Sequence, residues 1–157
     1  MKNNSILFIL SELFCTIFKI GNFKYMPGTL GSIIGIIMGL FIKNKFPITF
    51  YILVIFLICL IAIIMINIYQ TKVDSKEDHS EIIIDEFIGQ QIPLFFIELT
   101  TLNILFCFIF FRFFDILKVF PANYIDRKFK NSYGIIADDL VAGLQALVII
   151  YLINLYI

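Results

Sequence analysis

Ile92-Pro-Leu-Phe-Phe-Ile-Glu-Leu-Thr-Thr-Leu-Asn-Ile-Leu-Phe-Cys-Phe-Ile-Phe-Phe111 is an apolar stretch with a polar middle. It either crosses the membrane as one straight helix or doubles back as a hairpin, and the two give different folds. As one straight membrane helix it would carry Glu98, Thr100, Thr101 and Asn103 near its centre. An acidic side chain there costs about 2.5–3.5 kcal/mol on insertion scales. As a hairpin, one helix runs from about Ile82 to Ile97 and a second from about Leu102 to Lys118, with the polar residues in the turn. Both arms are short, because roughly 16 residues reach only about 24 Å at 1.5 Å per residue. The first arm therefore dips or tilts rather than spanning fully. The hairpin is preferred, and it sends every charged motif to one membrane face. The straight helix would put Asp85 and Asp115 on opposite faces.

The rest of the chain fits a membrane setting. Its 157 residues are 61% apolar, with a mean hydropathy of +0.98. An Ile-, Phe-, Asn- and Lys-rich composition inflates hydropathy, but it does not by itself arrange apolar residues into long runs. Phe46 to Tyr69 carries no charge and is long enough to cross about 30 Å of hydrocarbon. The expected fold is all-α: an integral membrane bundle of about 4–5 short membrane helices with an N-terminal amphipathic helix, in one domain over residues 1–157. Zero net charge and the lack of a basic block argue against nucleic acid as a partner. Cys15, Cys59 and Cys107 lie in apolar segments without metal-ligand spacing and read as small buried hydrophobes. Glu12 interrupts the first apolar run, so the N-terminus makes a poor signal peptide.

Outward from the hairpin, Ser5 to Ile20 carries Ser11, Glu12, Cys15, Thr16 and Lys19 at helical spacing. It reads either as a helix lying in the interface or as a packing helix. Pro27-Gly28 signals a turn, and Thr29 or Ser32 can cap a helix over about Leu30 to Ile42. Free N–H groups at that start can hold a phosphate. Gly31, Gly35 and Gly39, four apart, suit close helix packing. Asp78 or Ser80 can cap the first hairpin helix, on which Glu81, Asp85 and Gly89 share a face. His79, the only histidine, is a weak candidate for a role near the site. Pro121 ends the second arm. Asn123 to Ser132 reads as a basic, polar loop, and Asp138-Asp139 as the start of a last helix.

Asp85, Glu86, Asp115, Asp138 and Asp139 thus converge at one interface with Arg112 and Lys118. Carboxylates without a Cys or His cluster favour a hard cation, Mg²⁺ or Mn²⁺. Arg and Lys beside them suit a phosphate. The combination points to phosphoryl chemistry on a lipid headgroup. The plain alternative is a set of interfacial ion pairs, such as Arg112 with Asp115. On the hairpin topology all of the twelve Lys and Arg residues except Lys43 and Lys45 fall on the motif side, which the positive-inside rule makes cytoplasmic.

Four motifs carry a resemblance. Pro27-Gly28-Thr29-Leu30-Gly31-Ser32, Ile84-Asp85-Glu86-x-x-Gly89, Phe111-Arg112-x-Phe114-Asp115-Ile116-x-Lys118 and Asp138-Asp139-x-x-Ala142-Gly143 are similar, in order, to those of the type-A phosphatidylglycerophosphatase family of bacterial membrane enzymes. Val119 stands where that family usually has proline. The resemblance implies Mg²⁺-dependent hydrolysis of phosphatidylglycerophosphate to phosphatidylglycerol and phosphate, at the cytoplasmic face of the inner membrane. On this reading Asp85, Glu86, Asp138 and Asp139 hold the metal, and Thr29, Arg112 and Lys118 bind the substrate phosphate. Asp115 orients Arg112 or joins the metal shell, so that Asp85, Glu86, Asp115 and Asp139 form the catalytic set. Other readings are a phosphatase for another lipid or prenyl phosphate, or a small membrane transporter component. Transporters usually place such groups near the bilayer midplane rather than at helix ends.

Overall fold

The computed structural model describes residues 2–71 and 80–156, with side chains from residue 6 onward. Asp78 and His79 lie outside the described residues. Among the described residues the secondary structure is helical, without a strand. The helices are α1 (Lys2–Cys15), α2 (Pro27–Lys45), α3 (Ile48–Gln70), α4 (Ile84–Gly89), α5 (Gln91–Phe96), α6 (Thr101–Leu117), α7 (Ala122–Lys128) and α8 (Ser132–Asn154).

Three helices, α2, α3 and α8, are long and apolar enough to cross a membrane. Their 19, 23 and 23 residues correspond to about 28–35 Å at 1.5 Å per residue. On α3, Leu53, Phe56, Leu57, Leu60, Ile61 and Ile64 point outward and are exposed. In water such a face would be very costly, whereas hydrocarbon accepts it without penalty. The opposite face of α3 buries Tyr51, Ile55, Ala62, Ile66 and Tyr69.

The hairpin is present. Residues 84–96 form the first arm, broken at Gln90 into α4 and α5. Pro93 explains the break, since it has no N–H to offer the Gly89 carbonyl one turn back. The polar middle forms the turn, where the Thr100 hydroxyl caps α6 by accepting from the Asn103 N–H at 3.2 Å. The Asn103 amide donates to the Glu98 carbonyl at 3.1 Å, and Glu98 itself is exposed. Lys43, at the far end of α2, donates to the carbonyls of Leu94 (2.7 Å), Phe95 (3.1 Å) and Ile97 (2.6 Å). One ammonium thereby satisfies the open end of α5 and ties the end of α2 to the hairpin turn.

The glycine ladder sets the spacing between α2 and this arm. A Cβ on Gly31 would meet the Ile83 carbonyl at 2.7 Å, and one on Gly35 would meet the Gln91 amide at 2.9 Å and the Phe87 carbonyl at 3.0 Å. In the gap, Gln91 donates to the carbonyls of Phe87 (2.7 Å) and Gly35 (3.1 Å) and accepts from the Tyr51 hydroxyl. Gln90 donates to the Cys107 carbonyl of α6 at 3.3 Å. A buried amide pair therefore fastens the short arm to α2, α3 and α6.

Four local expectations change. The first helix ends at Cys15 rather than near residue 20, and Ile17, Phe18 and Lys19 take positive φ. Its polar stripe faces inward, with Ser11, Cys15 and Thr16 fully buried, while Ile6, Leu7, Ile9 and Leu10 are exposed. It is thus a packing helix laid against α3. At α2, neither Thr29 nor Ser32 caps: the helix starts at Pro27 behind a left-handed Met26, and the Ser32 hydroxyl donates to the Gly28 carbonyl at 3.0 Å. The basic stretch after Pro121 contains the helix α7. Finally, α8 starts at Ser132, six residues before Asp138, because the Asn131 side chain caps it by accepting from the Gly134 N–H at 3.0 Å. The aspartate pair lies inside the helix rather than at its mouth.

Candidate active site

Four segments meet at the end of the bundle opposite Lys43: the start of α2, the start of α4, the last turns of α6, and the second turn of α8. Packing brings them close. A Cβ on Gly89 would lie 2.7 Å from the Asp139 carbonyl and 2.8 Å from the Phe111 ring, so α4, α6 and α8 touch at this level. A Cβ on Gly143 would strike the Gly89 carbonyl and sit 2.9 Å from Ile92 Cβ. A Cβ on Gly28 would collide with Glu86 Oε1 and lie 3.1 Å from Arg112 Nη1. Small residues at these three places admit the charged groups.

Asp85, Glu86 and Asp139 each offer a carboxylate oxygen, and the three oxygens lie within 4.8 Å of one another. Asp138 and Asp139 are almost wholly buried, at 3% and 4% exposure. Arg112 pairs with Asp115, three residues along α6, and its Nη1 lies 3.9 Å from Glu86 Oε1. Lys118 pairs with Asp138 and, at 3.3 Å, with Asp126. Lys118 ends α6 in the left-handed region at φ 44°, a conformation that favours glycine or asparagine. That geometry turns its side chain back toward α8.

Several buried polar atoms here have no hydrogen-bond partner: Asp85 Oδ1, Glu86 Oε2, Asp138 Oδ1, Asp139 Oδ2 and Arg112 Nε. Buried carboxylate oxygens in such proximity repel and are costly without a counter-charge. The residues fit a hard divalent cation on that ground: an oxygen-only donor set, mutually close, with unsatisfied atoms. Asp85, Glu86 and Asp139 are the residues that would hold it.

The structure thus brings Asp85, Glu86, Asp139, Arg112 and Asp115 together, with Asp138 alongside and engaged by Lys118. Thr29 is half-buried in the first turn of α2, next to Gly28. Its N–H and that of Leu30 both turn back to the Met26 carbonyl, at 3.0 and 3.3 Å, so those donors are used within the helix. Sequence reasoning passed over Asp126, which sat in what read as a basic loop. It also passed over Gln90 and Gln91, whose only signal was an amide pair directly after Gly89 in an otherwise apolar arm.

A family model described as phosphatidylglycerophosphatase A matches residues 13–154. The chain belongs to this family. Among its relatives, a phosphatidylglycerophosphatase A of Haemophilus influenzae (strain ATCC 51907 / DSM 11121 / KW20 / Rd) is 36% identical over 82% of this chain and 78% of its own length. One from Escherichia coli (strain K12) is 33% identical over 82% and 74%. A putative phosphatidylinositol-3-phosphatase of Bacteroides thetaiotaomicron is 26% identical over 90% and 91%. No solved structure matches. The phosphatidylglycerophosphatase A match takes in all four site segments and begins part-way along α1.

Proposed function

We propose that this chain hydrolyses the terminal phosphomonoester of phosphatidylglycerophosphate to phosphatidylglycerol and phosphate, as a Mg²⁺-dependent step of phospholipid biosynthesis. We place it in the bacterial inner membrane with the site facing the cytoplasm. The observation that carries this reading is the cluster of Asp85, Glu86 and Asp139 beside Arg112, in a chain of this family. Bound at these carboxylates, a divalent cation would neutralise charge on the phosphate and lower the pKa of a water. The chain's own residues do the rest. Arg112 presents a planar guanidinium that grips a phosphate through two parallel N–H donors. Asp115 fixes that guanidinium from one turn along α6. Lys118, steadied by Asp138 and Asp126, adds positive charge at the rim. Thr29 offers a hydroxyl from the start of α2. The packed apolar side chains of α4, α6 and α8 keep bulk water from the carboxylates.

A phosphatase acting on another lipid phosphate is a second reading, favoured by the name of the Bacteroides relative. One assay tests both. Phosphate release from phosphatidylglycerophosphate, phosphatidylinositol 3-phosphate and phosphatidic acid is measured in detergent, before and after chelation. The first lipid should be turned over fastest, activity should vanish with EDTA, and added Mg²⁺ should restore it. Full activity after exhaustive chelation would remove the metal from the proposal.

A further inference from the structure

α7 and the turn after it lie outside the carboxylate cluster, yet they are joined to it. Asp126 Oδ1 receives both Lys118 Nζ and Lys130 Nζ, each at 3.3 Å. Lys118 in turn reaches Asp138, next to Asp139. Lys130 is therefore one shared oxygen away from the lysine that pairs with Asp138, while its own side chain is 70% exposed. Burial would raise the Asp126 carboxyl, but Lys118 and Lys130 overcome it and hold that group below the usual carboxylate range. As a fixed anion it aligns the two amines. Arg127 and Lys128 add exposed positive charge in the last turn of α7. Lys128 lies over the Tyr124 ring at 5.1 Å and the Phe129 ring at 5.6 Å. Exposed aromatics at a membrane rim sit at headgroup depth. Last-turn cations also balance helix-end carbonyls, but Lys130 lies beyond the helix and turns back toward the site.

We infer that Lys130, with Arg127 and Lys128, forms a second anion subsite for the inner phosphodiester of the substrate, while the terminal phosphate sits by Arg112. This rests on the activity proposed above. Phosphatidylglycerophosphate carries two phosphates separated by a glycerol, so a headgroup with one end at Arg112 has a second anion to place. The basic rim beyond Lys118 is the complementary surface.

The test uses the full chain in neutral detergent micelles and the triple variant Arg127→Gln, Lys128→Gln, Lys130→Gln. Phosphatidic acid has the terminal monoester without the diester, and phosphatidylglycerol has the diester without the monoester. In the variant, KM for phosphatidylglycerophosphate should rise about tenfold relative to KM for phosphatidic acid, with kcat little changed. Phosphatidylglycerol should raise the Tm of the wild type and not that of the variant. An equal rise in both KM values would mean general attraction to anionic lipid and overturn the subsite. Equal stabilisation of both proteins by phosphatidylglycerol would overturn it too. Should the wild type release nothing from phosphatidylglycerophosphate, the proposed activity falls, and the phosphatidylglycerol measurement still decides the subsite.

Discussion

Asp139 has one carboxylate oxygen buried without a partner and carboxylate oxygens of Asp85 and Glu86 within 4.8 Å. A residue kept for stability alone would not be placed so. Asp139→Asn keeps the volume and removes the charge. If Asp139 is a metal ligand, phosphate release should fall at least about 100-fold. Because the substitution also relieves repulsion among buried carboxylates, the Tm should hold or rise. Measuring turnover and unfolding on the same samples separates the two effects, and normal turnover would refute the site as drawn. Arg112 makes a different case. Its guanidinium bridges Asp115 and Glu86, with Nε unpartnered. Arg112→Lys keeps the charge but loses the fork, so activity should drop about tenfold or more. Thr29→Ala should cost less than either, since it removes one hydroxyl and no charge.

At the scale of elements, the short α4–α5 arm decides where the carboxylates stand. It is too short to span, so its position depends on lateral contacts: the glycines of α2, the Gln91–Tyr51 pair, and Gly89 against α8. Gly89→Ala inverts the ordinary rule. In a helix interior alanine is better than glycine by roughly 1 kcal/mol. Here the new methyl would sit 2.7 Å from the Asp139 carbonyl and 2.8 Å from the Phe111 ring. Neither α8 backbone nor a fully buried ring yields easily, and such overpacking typically costs about 1–3 kcal/mol. Gly89→Ala should lower the Tm and, by displacing α8, reduce activity. A Tm at or above wild type would show that the two helices have slack. The arm was legible in the sequence because the polar middle at Glu98 to Asn103 and the cost of burying it are local facts. The break at Gln90 was less so, since Pro93 can kink a helix or be absorbed by its neighbours. The true start of α8 was missed because the aspartate pair looked like a helix opening. Asn131, an ordinary cap, lay hidden in a run of basic residues. Asp126 was missed for the same reason: its partner Lys118 is eight residues away and becomes a neighbour only once α7 folds.

For the whole molecule, the question is which end faces which compartment. Lys43 is tied to the carbonyls at the hairpin turn, so residues 43–45 and 97–101 share one end of the bundle. Arg112, Lys118, Arg127, Lys128 and Lys130 gather at the other, around the carboxylates. Basic residues near membrane helices accumulate on the cytoplasmic side, which supports the inward orientation proposed for the site. The prediction is direct. With Cys15, Cys59 and Cys107 replaced, single cysteines at Asn44 and Thr101, both exposed, should react with a membrane-impermeant reagent applied to spheroplasts. A cysteine at Lys130, exposed at the other end, should react only after the membrane is opened. A straight crossing over residues 92–111 would instead put position 101 near the middle of the membrane, protected from the reagent on both sides. Opposite labelling of those two would sink the hairpin in the native membrane. Inverted labelling of all three would keep the hairpin and turn the site outward, where the charge asymmetry would then have been misread.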